Sequence, residues 1–292
     1  MKKVLLNVLM IVAFATMANA QNIIEADNTR NPNDFYQQGL VVGKKAMPYP
    51  YLRESDVVWK TTIWRNIDFN EAFNQFFYFP YDQEKSTQGR INLVNLIVQA
   101  ATNGDFEVYE DDDMKVPMEW EKAWSNLQGQ KLSTDVVYDE ELEDDVTIID
   151  TVPESFESQS AKLVQLKEYW YLDKQDTRQK VRIVGLAFIF EKSVLRGENA
   201  VNMPAESFWI PMDFMSVRNV LVNANAYEAS NDVTERSYDD IFIQRYFDSY
   251  ITRESNVYNR RIDQYLTGED AILESQMIEN KIFDIESDMW EY

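Results

Sequence analysis

Cysteine and histidine are both absent from the 292 residues. Without an imidazole base, neither a Ser-His-Asp nor a Cys-His constellation can form. Zinc sites of the His/Cys kind are excluded, as are a disulfide framework and the lipid-bearing cysteine of a bacterial lipoprotein. Glycine is scarce at 8 residues. Neither a G-x-G-x-x-G nor a Walker A pattern is present, so no Gly-rich phosphate cradle is expected. Basic residues are few, with 28 Lys and Arg against 50 Asp and Glu and a net charge of −22. Such a field repels nucleic acid and anionic lipid and favours a basic partner. Beyond residue 20 no apolar run approaches the roughly 20 residues that cross a bilayer. The chemistry left rests on carboxylates, Lys, Tyr, Ser and Thr. A structural or assembly role is the first expectation, with no cofactor and no metal.

The chain opens with Met1-Lys2-Lys3, an apolar run from Val4 to Ala15, and Ala18-Asn19-Ala20. A basic start, a short apolar segment and an A-x-A site predict an export signal cleaved after Ala20. Residues 21–47 are rich in Asn, Asp and Gln and read as an N-terminal arm. Residues 48–292 read as a single domain, and 45% hydrophobic and 13% aromatic residues supply its core. Eighteen acidic residues against three lysines crowd Asp105–Glu157, including Asp111-Asp112-Asp113 and the run Asp139–Asp145. The expectation there is a solvated, partly flexible insertion. A docking strip and a weak calcium site are sharper alternatives, although the EF-hand pattern is missing.

Secondary-structure signals predict an α+β fold, an antiparallel or mixed sheet with a helical C-terminal third. Strands are expected near 57–67, 163–172, 181–190 and 208–210 from their β-branched and aromatic content. Val184–Phe190 is continuously apolar, the mark of a strand buried on both faces. A helix over Ile91–Ala101 stops at Gly104. Pro117 reads as the first residue of a helix that carries Trp120 and Trp124. Ser237 with Asp240 reads as a capping box. Tyr238, Phe242, Tyr246 and Tyr250 recur every four residues and predict one long helix, continued through Tyr258, Ile262 and Tyr265 to Gly268. Ala271–Trp290 is a second amphipathic helix. Met47-Pro48-Tyr49-Pro50-Tyr51 is stiff and extended.

Four blocks together resemble the gliding-motility GldN family, called PorN in related bacteria. They are Pro48–Trp59 leading into Ile63–Asp68, Lys167–Gln175 running into Val181–Ala187, Phe208-Trp209-Ile210, and Ser237–Tyr258 followed by Tyr265-Leu266-Thr267-Gly268 and the terminal Trp290-Glu291-Tyr292. The resemblance implies a non-enzymatic periplasmic component of the type IX secretion system of the Bacteroidota. It implies assembly with a GldK/PorK-like lipoprotein into a ring under the outer membrane. It also implies contact with motor subunits, GldL and GldM/PorM-like periplasmic domains. No catalytic residue comes with it. Tyr and Trp are favoured at interfaces, so Tyr49, Tyr51, Trp120 and Trp124 are the candidate partner contacts.

Two other classes stay open at this stage. Glu168 and Glu254 sit in aromatic surroundings and are candidate acids for a carboxylate glycoside hydrolase, which needs two carboxyls at a set separation. A calcium-dependent binding module would use the acidic stretch.

Overall fold

The structure is a computed structural model that describes residues 44–81, 90–139, 144–153, 156–175, 178–196, 199–228 and 236–290. The expected export signal, residues 21–43 of the arm and the terminal Glu291-Tyr292 lie outside the described residues. In chain order the strands are β1 (Val57–Asp68), β2 (Val108–Tyr109), β3 (Pro117–Met118), β4 (Gln130–Asp139), β5 (Asp144–Pro153), β6 (Ala161–Asp173), β7 (Gln179–Arg196), β8 (Asn199–Pro211) and β9 (Tyr250–Glu254). The helices are α1 (Gln75–Tyr78), α2 (Leu93–Asn103), α3 (Trp120–Leu127), α4 (Met215–Val222), α5 (Tyr238–Gln244) and α6 (Glu269–Trp290).

Seven strands form one sheet in the order β3-β2-β8-β7-β6-β1-β9, antiparallel at every pairing. A separate antiparallel hairpin, β4 with β5, runs from Gln130 opposite Pro153 to Asp139 opposite Asp144. The α+β class is therefore as expected, with every predicted strand in the main sheet.

Strand alternation sorts the sheet into two faces. On one face the rungs are Ile67–Val164–Phe188 and Arg65–Leu166–Leu186–Ile210. They meet α1, α2, α4 and α5 through Phe77, Leu93, Ile97, Val217, Leu221 and Phe242, all fully or nearly fully buried. The helices present matching stripes. In α2, Leu93, Val94, Ile97, Ala100 and Ala101 repeat at helical spacing, Asn92 caps the start by accepting from the Asn95 N–H, and Gly104 ends it at φ 79°. Tyr238 is buried among these rings and donates its hydroxyl to the Ile91 carbonyl at 2.9 Å. Burial pushes its phenol pKa well above the usual value.

The edge strand β9 is covered by α6. Ile278 and Ile282 pack with Ile63, Ile251 and Ile262, and Ser275 Oγ accepts the Ile251 N–H at 2.9 Å. That bond satisfies a donor which an open sheet edge would leave unpaired.

Three sequence expectations change. Pro117 lies in β3, opposite Tyr109 at the sheet edge, where a residue without an N–H is tolerated; the helix starts at Trp120 behind Glu119. β8 begins at Asn199, well before Phe208; Asn202 and Pro204, residue types disfavoured in strands, masked its first half in the sequence. The four-residue aromatic repeat does not continue one helix. α5 has the expected capping box at Ser237 and Asp240 but stops at Arg245, which takes φ 54° and caps Ile241 and Phe242 with its N–H. Tyr250 then opens β9, Ile262 falls in a short 3-10 turn, and Gly268 precedes α6 at φ 64°.

Candidate functional site

Glu168, on β6, is fully buried. Arg245 reaches it at 2.6 Å, Arg65 at 3.3 Å, and the Trp170 indole N–H donates to it at 2.9 Å. Arg65 also holds Glu279 of α6 at 2.8 Å, so this cluster ties α5 and α6 to the sheet. Glu254 pairs with Lys281 at 3.0 Å. Glu168 and Glu254 both stand opposite Ile63, one on each neighbouring strand. A fully buried isoleucine therefore fills the space where a paired-acid hydrolase needs substrate.

The opposite face is mixed, with Trp64, Ala187 and Trp209 buried as a small apolar cluster beside polar neighbours. One rung runs Tyr109–Trp209–Ala187–Gln165–Asn66–Tyr250 across six strands. The next carries Arg253–Trp64–Lys167–Gly185. Gly185 has a steric reason: a Cβ there would lie 3.1 Å from the Trp209 ring and 3.2 Å from Met114. The acidic segment after β2 lies across these rungs as a strap. Asp112 accepts from the Trp64 indole at 2.9 Å and from Arg253 at 2.6 Å. Lys167 donates to the Asp112 carbonyl at 2.6 Å, and Arg253 stacks on the Trp64 ring at 3.4 Å. Asp113 sits between Lys115 at 2.9 Å and Lys167 at 3.4 Å. The hydrogen bond from Lys115, then that from Lys167, holds its carboxyl below the usual carboxylate range. Asp112 and Asp113 are thus spent on cations of their own domain, and among the described residues no three acidic side chains converge on a metal position.

Two cavities open beside the strap, of about 270 Å³ and about 220 Å³. They share Gln165 and Arg261 as lining. The larger is polar, with Trp64, Asp112, Glu206 and Arg253 in its wall. The smaller has an apolar wall of Ile251, Ile262, Ala271 and Ile272 over Asn66.

The four predicted contact residues do not form one patch. Tyr49 lies against the guanidiniums of Arg218 and Arg182, at 4.4 and 4.8 Å, and burial raises its phenol pKa. Arg218 is buried, forms a two-point pair with Asp239 at 2.9 Å, and donates to the Met47 carbonyl. The Met47 carbonyl is thereby pinned to α4 and α5, and the Pro50 carbonyl to β7 by Arg182 at 3.1 Å. Tyr51, two residues on, is 89% exposed. Trp120 and Trp124 are half-buried, with Trp120 edge-on to Phe208 and Trp124 edge-on to Phe156. Sequence reading missed the Val257-Tyr258 turn and the outward side chains of α6, Ile272, Leu273, Met277 and Phe283, all exposed. The signal was misread because the tyrosine spacing placed Tyr258 on a helix face.

An antiparallel sheet with helices on one face and an acidic strap, paired with cations of its own domain, on the other defines an α+β domain. The family model described as gliding motility associated protein GldN matches residues 52–291, and the chain belongs to that family. No curated protein matches the chain. Among the described residues no helix is long and apolar enough to cross a membrane.

Proposed function

We propose that this chain is a non-enzymatic structural component of the type IX protein secretion and gliding machinery. It works in the periplasm, in a ring with a GldK/PorK-like lipoprotein under the outer membrane, next to GldM/PorM-like motor domains. Family membership over residues 52–291 is the observation that carries this reading. The chain has no cysteine to lipidate, so retention at the outer membrane falls to protein contacts. Its charge of −22 suits a basic partner surface. The burial of Glu168 between Arg65 and Arg245 removes the support for a hydrolase.

Size-exclusion chromatography of the processed protein, alone and with the lipoprotein of the same organism, tests the proposal. A discrete and very large complex in the mixture is expected. Two proteins that elute independently would overturn it. Alanine at Tyr51, and at Trp120 with Trp124, is expected to weaken co-purification while the melting transition stays cooperative.

A further inference from the structure

The helical layer over the sheet has a gap at its β3 end. Between the end of α2, the start of α4 and the corner from β3 to α3 lies a cavity of about 740 Å³. Its floor is the main core itself. Phe106 and Val108 are buried members of that core, and Met118 and Trp120 pack partly buried against it. Phe214, ahead of α4, stands in the wall with 54% of its surface exposed. The volume falls within the roughly 300–1,000 Å³ of ligand sites, which leaves room for several side chains. A core that opens to water in this way marks a docking surface.

The charge of the groove has one sign. Asp105, Glu107 and Glu119 line it, Ser216 adds a hydroxyl, and no Lys or Arg takes part. Glu107 accepts from the Tyr109 hydroxyl at 3.4 Å. Among the described residues none of the three carboxylates has an ion-pair partner. The lysines on either side of Glu119 are engaged elsewhere, Lys115 with Asp113 and Lys122 with Glu110. The strap differs, since cations of its own domain meet Asp112 and Asp113.

An occupant must therefore bring both apolar surface and positive charge. Lys and Arg suit the rim, because their stems lie along apolar surface while the head stays in water. The Trp120 and Phe214 rings add cation–π attraction. The chain itself is a poor source of such a segment. Residues 21–43 hold one Arg against three acids, and a second copy brings the same charge of −22. Pro117 at the sheet edge has no N–H to offer, so recognition runs through side chains rather than an added strand. We infer that this groove docks a segment of a partner protein in which Lys or Arg flanks apolar side chains. This rests on the assembly reading above and gives one of its contacts a place and a chemistry.

Fluorescence anisotropy of a labelled peptide that alternates arginine with leucine, titrated with the full chain, tests it. Saturable binding is expected. Asp105→Asn, Glu107→Gln and Glu119→Gln together, and Phe214→Ala alone, are each expected to weaken it about tenfold. Serine in place of leucine in the peptide is expected to cost about tenfold as well. All four substituted residues are exposed, so melting should be unchanged. Neutralising three exposed acids elsewhere, Glu54→Gln, Glu269→Gln and Asp270→Asn, is expected to change binding less than about twofold. Equal loss in the two triple variants, or indifference to Phe214→Ala or to the serine peptide, would reveal general charge attraction and overturn the inference. Absence of saturable binding would overturn it too. So would groove substitutions that change the sedimentation of the chain alone, which would assign the groove to a second copy. A lipoprotein complex formed by a chain that binds no peptide would leave the assembly reading standing without this contact. Peptide binding by a chain that forms no such complex would do the reverse.

Discussion

On the helical face of the sheet, Val164, Leu166, Leu186 and Phe188 meet aromatic and aliphatic side chains of four helices. On the other, Gln165, Lys167, Gly185 and Ala187, their alternating neighbours, meet an acidic strap, two tryptophans and cavity space. The same strands therefore build both a dry core and a polar groove. Stability on the first face comes from apolar area removed from water, which charge screening does not weaken. On the second it comes from Asp112 and Asp113 held between Trp64, Lys167, Arg253 and Lys115, partly exposed pairs that salt and acid weaken.

The sharpest way to break this contrast is to empty the dry face. Phe188→Ala or Phe77→Ala is expected to cost about 3–5 kcal/mol in denaturant unfolding. Glu168→Gln should cost about the same, because it leaves Arg245 without its buried counter-charge and Arg65 with Glu279 alone; a loss below about 1 kcal/mol would show that the cluster is not part of the core. On the strapped face, Gly185→Val should cost about 1–3 kcal/mol by pushing Trp209 and Met114 off the sheet. Asp112→Asn is expected to lose about 1–2 kcal/mol, less in high salt, and to alter tryptophan fluorescence through Trp64. The smallest effect is that of pH. Asp113 is held low by its lysines, and Asp173 by the Gln175 N–H and then Lys180. Their contribution is present above about pH 3.9, the unfolded value, and is lost as the pH falls through the lower folded values. Acid should therefore loosen the strap before the helical face, read as a Trp64 signal change that precedes loss of helical circular dichroism. Simultaneous loss would remove the distinction between the faces.

Much of the fold was legible because the relevant signals are local. The apolar run Val184–Phe190, the asparagine and glycine that bound α2, and the Ser237 box each act within a few residues. Pro117 misled because proline suits both a helix start and an edge strand, and only the partner Tyr109 decides between them. The aromatic spacing from Tyr238 to Tyr250 misled for a similar reason. Arg245 leaves the helical conformation to reach Glu168, which lies 77 positions away in the chain.

The candidate site was mostly not legible. Tyr49 and Tyr51 look alike in sequence, yet one is held between two arginines and the other is open to solvent. Asp111-Asp112-Asp113 looks like a solvated run, yet Asp112 is bound by residues 48, 55 and 141 positions distant. Composition alone determined that no imidazole, thiol, disulfide or lipidated cysteine takes part, since what a chain lacks cannot be supplied by folding. The order of the residues determined the α+β class, because periodicity and caps are short-range. Which acids are neutralised, which aromatics remain outside and where the groove runs were decided by strand register. Register joins distant residues through one antiparallel alignment, and a shift of a single residue would exchange the two faces.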